Sequence, residues 1–260
     1  MKTRGWFIAT TFAILVSVSP LFAQTGGTET KVMIRAIARD AKVIGTHVGG
    51  AKITVRDTAT GEILAQGVQQ GGTGDTDLIM KKPRTRGMAL YNTPDTSGYL
   101  AVLHLEKPTV VEISAEGPLG NAQATQRSSK TLLLVPGEDV LGDGILLEIH
   151  GFIVTSLAPL PDAKIKAGTP FEVRATVTMA CGCPTEPDGL WDANKIRVVA
   201  RLLRDGKVES EIPLQYAGVQ NTFHVDVPVT TAGPLELQVL ALDPGSANFG
   251  MMREAVAIVP

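Results

Sequence analysis

The stretch FEVRATVTMACGCP, residues 171–184, decides how the chain is read. In it Phe171, Val173, Ala175, Val177, Met179 and Cys181 alternate with Glu172, Arg174, Thr176 and Thr178. A period of two is the repeat of a strand, whose successive side chains point to opposite faces, so one face here is apolar and the other polar. The pattern predicts a strand that buries its apolar row and ends it on Cys181. Pro184 cannot donate to a ladder, and the strand is expected to stop about there. Working outward, the same period recurs in Val32, Ile34 and Ala36, in Ile53 and Val55, in Tyr99, Ala101, Leu103 and Leu105, and in Val111, Ile113 and Ala115. Short runs broken by Gly, Pro, Asp and Asn, with no helical periodicity sustained over three turns, predict an all-β chain.

At the start of the chain, Lys2 and Arg4 precede an apolar stretch from Gly5 to Val18, followed by Pro20 and the small residue Ala23. This is the pattern of a secretory signal peptide, with cleavage expected after Ala23 and a destination in the periplasm or outside the cell. No later run reaches the roughly 18 apolar residues of a spanning helix, so no membrane span is expected in the mature chain. Residues 1–23 hold two of the 24 basic residues and none of the 26 acidic ones, which leaves 22 against 26. A mild negative balance without an extended basic tract argues against nucleic acid as a partner. The remaining 237 residues (260 − 23) suffice for two domains. A boundary is expected near His150, where the run Ile145–Ile149 gives way to GFIVTSLAPLPDAKIKAGTP, whose prolines suit edge or connecting segments. The expected architecture is two consecutive β-sandwiches, residues 24–150 and 151–260.

Two resemblances accompany this reading. In the first half, VGGAKITVRDTATGEILAQG and TPDTSGYLAVLHLEKPTVVEISAEG, with Gly50-Ala51, the Asp57–Gly61 turn, Gly98 and Pro108, resemble the carboxypeptidase regulatory-like, transthyretin-like sandwiches. That resemblance implies a non-catalytic accessory module, interrupted here by an insertion from Gln69 to Thr96. The second half resembles an immunoglobulin-like sandwich, with strands expected near 171–181, 195–204, 207–213, 221–227, 234–242 and 251–259, and with Asp205-Gly206 as a two-residue hairpin turn. Leu235, Leu237, Val239 and Ala241 fill the penultimate strand, so no inter-sheet disulfide is expected.

Cys181 and Cys183 are the only cysteines, and one glycine separates them. If hairpins alternate between the two ends of the second sandwich, residues 181–194, 214–220 and 243–250 gather at one pole. Met179, Met252, whose neighbour Met251 takes the opposite face, and His224 are the candidate co-ligands. Thiolate and thioether donors select monovalent copper, so a soft-metal site at Met179, Cys181, Cys183, Met252 and His224 is one reading. A Cys181–Cys183 disulfide in an oxidising compartment is the second. A thiol redox partner is the third, although a Cys-x-x-Cys motif at a helix start is absent.

Elsewhere GGTGDTD, residues 71–77, and PGEDVLGDG, with Glu138, Asp139 and Asp143, read as a flexible surface loop and a turn. The basic run KKPRTR, with Lys81, Lys82, Arg84 and Arg86, is a candidate contact for an acidic partner, and Trp191 a candidate aromatic platform or core cap. Histidines 47, 104, 150 and 224 stand singly, and neither a zinc-ligand spacing nor a Gly-x-Ser-x-Gly elbow occurs. The expected function is that of an exported, non-enzymatic accessory or interaction protein with an envelope or secreted protein partner. The alternative is a structural component of envelope or surface assembly that carries a CxC disulfide.

Overall fold

The structure is a computed structural model and describes residues 26–260; the expected signal peptide, residues 1–23, lies outside the described residues. The first half contributes seven strands: β1 Thr28–Ala38, β2 Ala51–Asp57, β3 Ile63–Gln69, β4 Tyr99–Leu105, β5 Thr109–Gly117, β6 Gln126–Leu134 and β7 Val140–Ile149. The second contributes nine: β8 Phe152–Ala158, β9 Lys164–Lys166, β10 Phe171–Met179, β11 Arg197–Arg204, β12 Lys207–Pro213, β13 Gln215–Tyr216, β14 Thr222–Val227, β15 Gly233–Asp243 and β16 Asn248–Val259. Among the described residues the helical segments are single turns at Thr46–Val48, Asp77–Lys81 and Ala193–Lys195. The chain is all-β.

In the first half a three-stranded sheet, β4-β1-β7, faces a four-stranded antiparallel sheet, β3-β2-β5-β6. The rows found by alternation line the space between them: Val32, Ile34 and Ala36 from β1, Ile53 and Val55 from β2, Leu103 from β4 and Ile113 from β5 are all buried. Each such aliphatic side chain contributes about 1.5–3 kcal/mol on full burial. β1 pairs antiparallel with β4 but parallel with β7, from Val32↔Val140 to Ala38↔Ile149. A buried amide completes this core. Gln69 is fully buried; its Oε1 accepts from the Ala36 N–H at 2.7 Å, and its Nε2 donates to the carbonyls of Ala36 and Ile44 at 3.0 and 2.7 Å. The side chain thus serves β1 as a peptide group would.

In the second half the four strands β13-β14-β10-β8 face the five strands β12-β11-β15-β16-β9. Asp205 and Gly206 join β11 to β12 with φ of 51° and 75°, the two positive values a tight two-residue hairpin turn requires. β7 ends at Ile149 in the first half's sheet and β8 begins at Phe152 in the second half's, so the connection is His150-Gly151.

The insertion is more built than a flexible loop. Ile79, Leu90 and Tyr91 pack on Ile37 and Val43, on the outer side of the β1–β7 pair. Asp143 does not sit in a turn but in β7, where its carboxylate accepts from the N–H groups of Leu90, Tyr91 and Asn92, each at 2.8 Å. Residues 71–77 are pinned likewise: Val43 N–H donates to the Thr73 carbonyl, Gly72 N–H to the Asp95 carbonyl and Ser97 N–H to the Gly72 carbonyl, and the Asp75 carboxylate accepts from the Leu78 N–H at the start of the helical turn. Arg35, 4% exposed, donates from Nη1 to the Ser97 carbonyl at 2.8 Å. Burial lowers its pKa, and the charge of Asp143 opposes that shift.

Candidate functional site

The strand carrying the thiols stops two residues earlier than its alternation suggests. β10 ends at Met179, and Ala180-Cys181-Gly182 form a hairpin loop: Gly182 N–H donates to the Met179 carbonyl at 2.7 Å and Met179 N–H to the Cys183 carbonyl at 3.0 Å. Gly182 has φ +74°, the left-handed position that follows the turn in a three-residue hairpin loop. The return leg runs through a Thr178↔Pro184 bridge, and buried Thr185 donates from Oγ1 to the Val177 carbonyl at 2.8 Å. This folding-back brings the Cα atoms of Cys181 and Cys183 to 5.4 Å, and their sulfurs are joined in a disulfide. Cys181 is fully buried and Cys183 is 5% exposed.

The expected gathering of loops at this pole occurs. Thr185 N–H donates to Asn221 Oδ1 at 2.7 Å, and Asn221 N–H to the Thr185 carbonyl at 2.9 Å, tying residues 181–194 to residues 214–221. Met179, Trp191 and Asp243 line one narrow recess with Asp40 and Phe152. Its volume of about 60 Å³ leaves room for a water or two.

The pole is not a free tip, because the first sandwich sits on it. Trp191 is half-buried, and its Nε1 donates to the Asp40 carbonyl at 2.9 Å. Asn248, fully buried, accepts from Gly151 N–H at 2.8 Å and donates from Nδ2 to the Arg39 carbonyl at 3.2 Å. Gln123 lends its carboxamide to the margin of β16, accepting from Arg253 N–H at 2.8 Å and donating to the Arg253 carbonyl at 3.4 Å. Closest of all is the CGC loop itself. A methyl carbon placed on Gly182 would lie 2.6 Å from His47 Nε2 and 2.7 Å from Val48 Cγ1, so the turn at Thr46–Val48 lies directly on the hairpin.

The five candidate ligands are not brought together. Both cysteine sulfurs are in the bridge and offer no thiolate. Met179 is buried beside that bridge, 3% exposed, with Phe152 as its cross-strand partner. Met252 is the inward-facing one of its pair, 4% exposed, but it lines a different recess with Val154, Thr155 and Gln123. His224 pairs with Arg174 halfway down β10, on the outer face, with Nδ1 3.8 Å from a Glu172 carboxylate oxygen. Strand register separates it from the pole: Arg174 stands five residue steps from Met179 along β10, about 16 Å at strand rise. Among the described residues no group of three or more His, Cys, Asp or Glu side chains is placed to hold a metal ion.

The basic run, by contrast, is presented to solvent. Residues 81–87 are all exposed, yet two of the basic side chains are tied back: Lys81 Nζ lies 2.8 Å from Asp77 Oδ1, and Arg84 Nη2 donates to the Ile79 carbonyl at 3.4 Å. The hydrogen bond between Lys81 and Asp77 raises the lysine pKa and lowers that of the carboxyl. Lys82 and Arg86 take no salt bridge among the described residues. Burial against the same cluster pushes the Tyr91 hydroxyl above its ordinary pKa. Near the pole, backbone hydrogen bonds from Asn194 and Asp188 hold the Asp192 carboxyl below its usual range.

Sequence reasoning did not find Asp40, Gln123 and Asn248, took Asp143 for a turn residue and left His47 as an isolated histidine. Each is a single polar residue whose contact lies across a long separation, and a lone polar residue carries no periodic signal.

No family model matches the chain, and no curated protein matches it. Among solved structures it is similar to an engineered protein at 18% identity, over 49% of this chain and 24% of that one, with a TM-score of 0.33. It is similar to the fibronectin(III)-like modules of Clostridium thermocellum CbhA at 13% identity, over 88% and 92% of the two chains, with a TM-score of 0.28. The titin domains Z1Z2 in complex with telethonin are a third, at 10% identity, over 91% and 98%, with a TM-score of 0.25. The chain spans about a quarter of the first of these. Likenesses this low carry no argument, and the carboxypeptidase regulatory-like resemblance finds no support in them. Among the described residues no helix is long and apolar enough to cross a membrane.

Proposed function

We propose that the chain is an exported, non-enzymatic interaction protein that presents the loop Lys81–Arg86 to an acidic partner in the envelope or outside the cell. One observation carries this reading: an exposed basic loop stands on a purpose-built anchor, the Asp143 carboxylate with three backbone donors and the buried cluster of Ile79, Leu90 and Tyr91. A solvated loop needs no such foundation, whereas a recognition loop gains from one, because ordering it beforehand removes entropy that binding would otherwise cost. Opposite charge on the partner speeds encounter and makes association salt-sensitive.

The double variant Lys82→Glu/Arg86→Glu tests it, since neither residue takes part in the anchor. Retention on an anionic polymer surface at low salt is expected to fall at least tenfold while the melting temperature stays within a degree or two of wild type. Equal retention removes the reading. In this proposal the CGC hairpin is a structural element of the sandwich junction, and the soft-metal version requires the bridge to be reduced first. Metal analysis of the exported protein, with and without Cys181→Ser/Cys183→Ser, separates the two: copper held only by the wild type favours a metal site.

A further inference from the structure

The CGC bridge lies where the two sandwiches meet, and this position has chemical consequences. Thiol–disulfide exchange needs a thiolate to reach one of the two sulfurs. Here Cys181 is fully buried and Cys183 nearly so. The open side of the hairpin loop is roofed by His47 and Val48 from the other sandwich, with no room for even one added carbon at Gly182. Trp191 and Asn248 hold that roof in place through the carbonyls of Asp40 and Arg39.

We propose that docking of the first sandwich and the redox state of the Cys181–Cys183 bridge are coupled: the docked junction shields the bridge from dithiol reductants, and the reduced hairpin docks less tightly. The reaction concerned is complete with one dithiol. A thiolate of the reductant attacks one cysteine sulfur, giving a mixed disulfide and releasing the other cysteine as thiolate. The second thiol of the reductant then displaces the remaining cysteine. Two electrons and two protons pass to the protein, which gains two thiols, and the reductant leaves as a cyclic disulfide.

Reduction disturbs docking for a steric reason. Two bonded sulfurs occupy less space than two thiols, which must stand at van der Waals distance, and Cys181 is fully buried. The hairpin must therefore widen, and Gly182 is its point of contact with His47 and Val48. Close-packed interiors respond to such changes by separating and repacking, not by yielding in place. Linkage makes the effect reciprocal: whatever factor reduction takes from docking, docking takes from reduction.

The test compares rates of reduction by dithiothreitol, read by alkylation and mass spectrometry, in the full chain, in His47→Ala, in Trp191→Phe and in an oxidised peptide spanning residues 177–187. Reduction is expected to be slowest in the wild type, at least tenfold faster in each junction variant and fastest in the peptide. His47 is exposed and its removal leaves the core intact, so this variant reports on shielding even where Trp191→Phe folds poorly. A second arm measures hydrogen exchange in Cys181→Ser/Cys183→Ser, where amides of residues 38–48 are expected to exchange faster than in the wild type. Wild-type rates in both junction variants, or a wild type reduced as fast as the peptide, overturns the coupling. Unchanged exchange at residues 38–48 in the serine variant overturns its reciprocal half.

Discussion

Replacing Asp143 by alanine should release the insertion from the first sandwich. The carboxylate accepts three backbone N–H groups, from Leu90, Tyr91 and Asn92, each at 2.8 Å. Hydrogen bonds to a charged group contribute about 1.5–3 kcal/mol each. Bonds that share one acceptor group do not add in full, and water replaces part of what a half-buried site loses. Starting from the low end of that range for all three, the net loss comes to about 3 kcal/mol, with a further cost at Arg35, whose buried guanidinium loses its neighbouring anion. At about 1.4 kcal/mol per power of ten, local opening becomes some hundredfold more frequent. Hydrogen exchange reads it directly, and the informative amide is Ile79, which bonds to the Asp75 carbonyl and does not touch Asp143. Its exchange is expected to accelerate about a hundredfold in Asp143→Ala and less in Asp143→Asn, which keeps the shape and one good acceptor. If Ile79 exchanges at the wild-type rate while only Leu90, Tyr91 and Asn92 speed up, the apolar cluster alone holds the insertion and the reasoning fails.

Three further outcomes are expected. Gln69→Leu strips Ala36 and Ile44 of their buried amide partner and should cost about 3 kcal/mol, seen as a lower urea midpoint with an unchanged slope; a midpoint within error of wild type would mean the carbonyls find other donors. Gly182→Ala forces a side chain into a left-handed backbone and against Val48, for a loss of about 2 kcal/mol, part of which Val48→Ala should restore; no recovery in the double variant would show that backbone conformation alone sets the cost. Asp192 has a lowered pKa in the folded state, so its contribution is present above the unfolded carboxyl value of about 4 and disappears as pH falls through the folded one. The gap in melting temperature between wild type and Asp192→Asn should therefore close on acidification from pH 7 to pH 3, and a gap that stays constant refutes the assignment.

The strands were legible wherever one face is buried and the other wet. β10 shows this best, since Phe171, Val173, Ala175, Val177 and Met179 are buried in the row that alternation picked out. Its end was misread because Cys181 remains buried although the backbone has already turned, so composition continues a pattern that geometry has left. β6 announced itself poorly: as an edge strand it exposes Arg127, Lys130 and Leu133 and buries only Leu134 fully. The gathering of loops at the cysteine pole followed from counting hairpins. That a neighbouring sandwich would cover the pole did not follow, because the contacts pair Asp40 with Trp191 and Arg39 with Asn248, and single residues so far apart have no spacing to read. His224 and Met252 are not brought to the cysteines: His224 stands opposite Arg174, well down β10 on the outer face, and Met252 lines a separate recess with Val154 and Gln123.

β1 lies in the middle of its sheet, yet its neighbours arrive late. Its antiparallel partner ends at Leu105 and its parallel one at Ile149, so the ladder on that second side waits until Ile149 has been made. A ribosome delivers β1 first and leaves its hydrogen-bonding groups exposed meanwhile. Closure across so long a loop is slow. The newborn segment Thr28–Ala38, rich in isoleucine, valine and alanine, is thus the part of the molecule most in need of a holding chaperone, and the one whose mispairing would be costliest before Ile149 emerges.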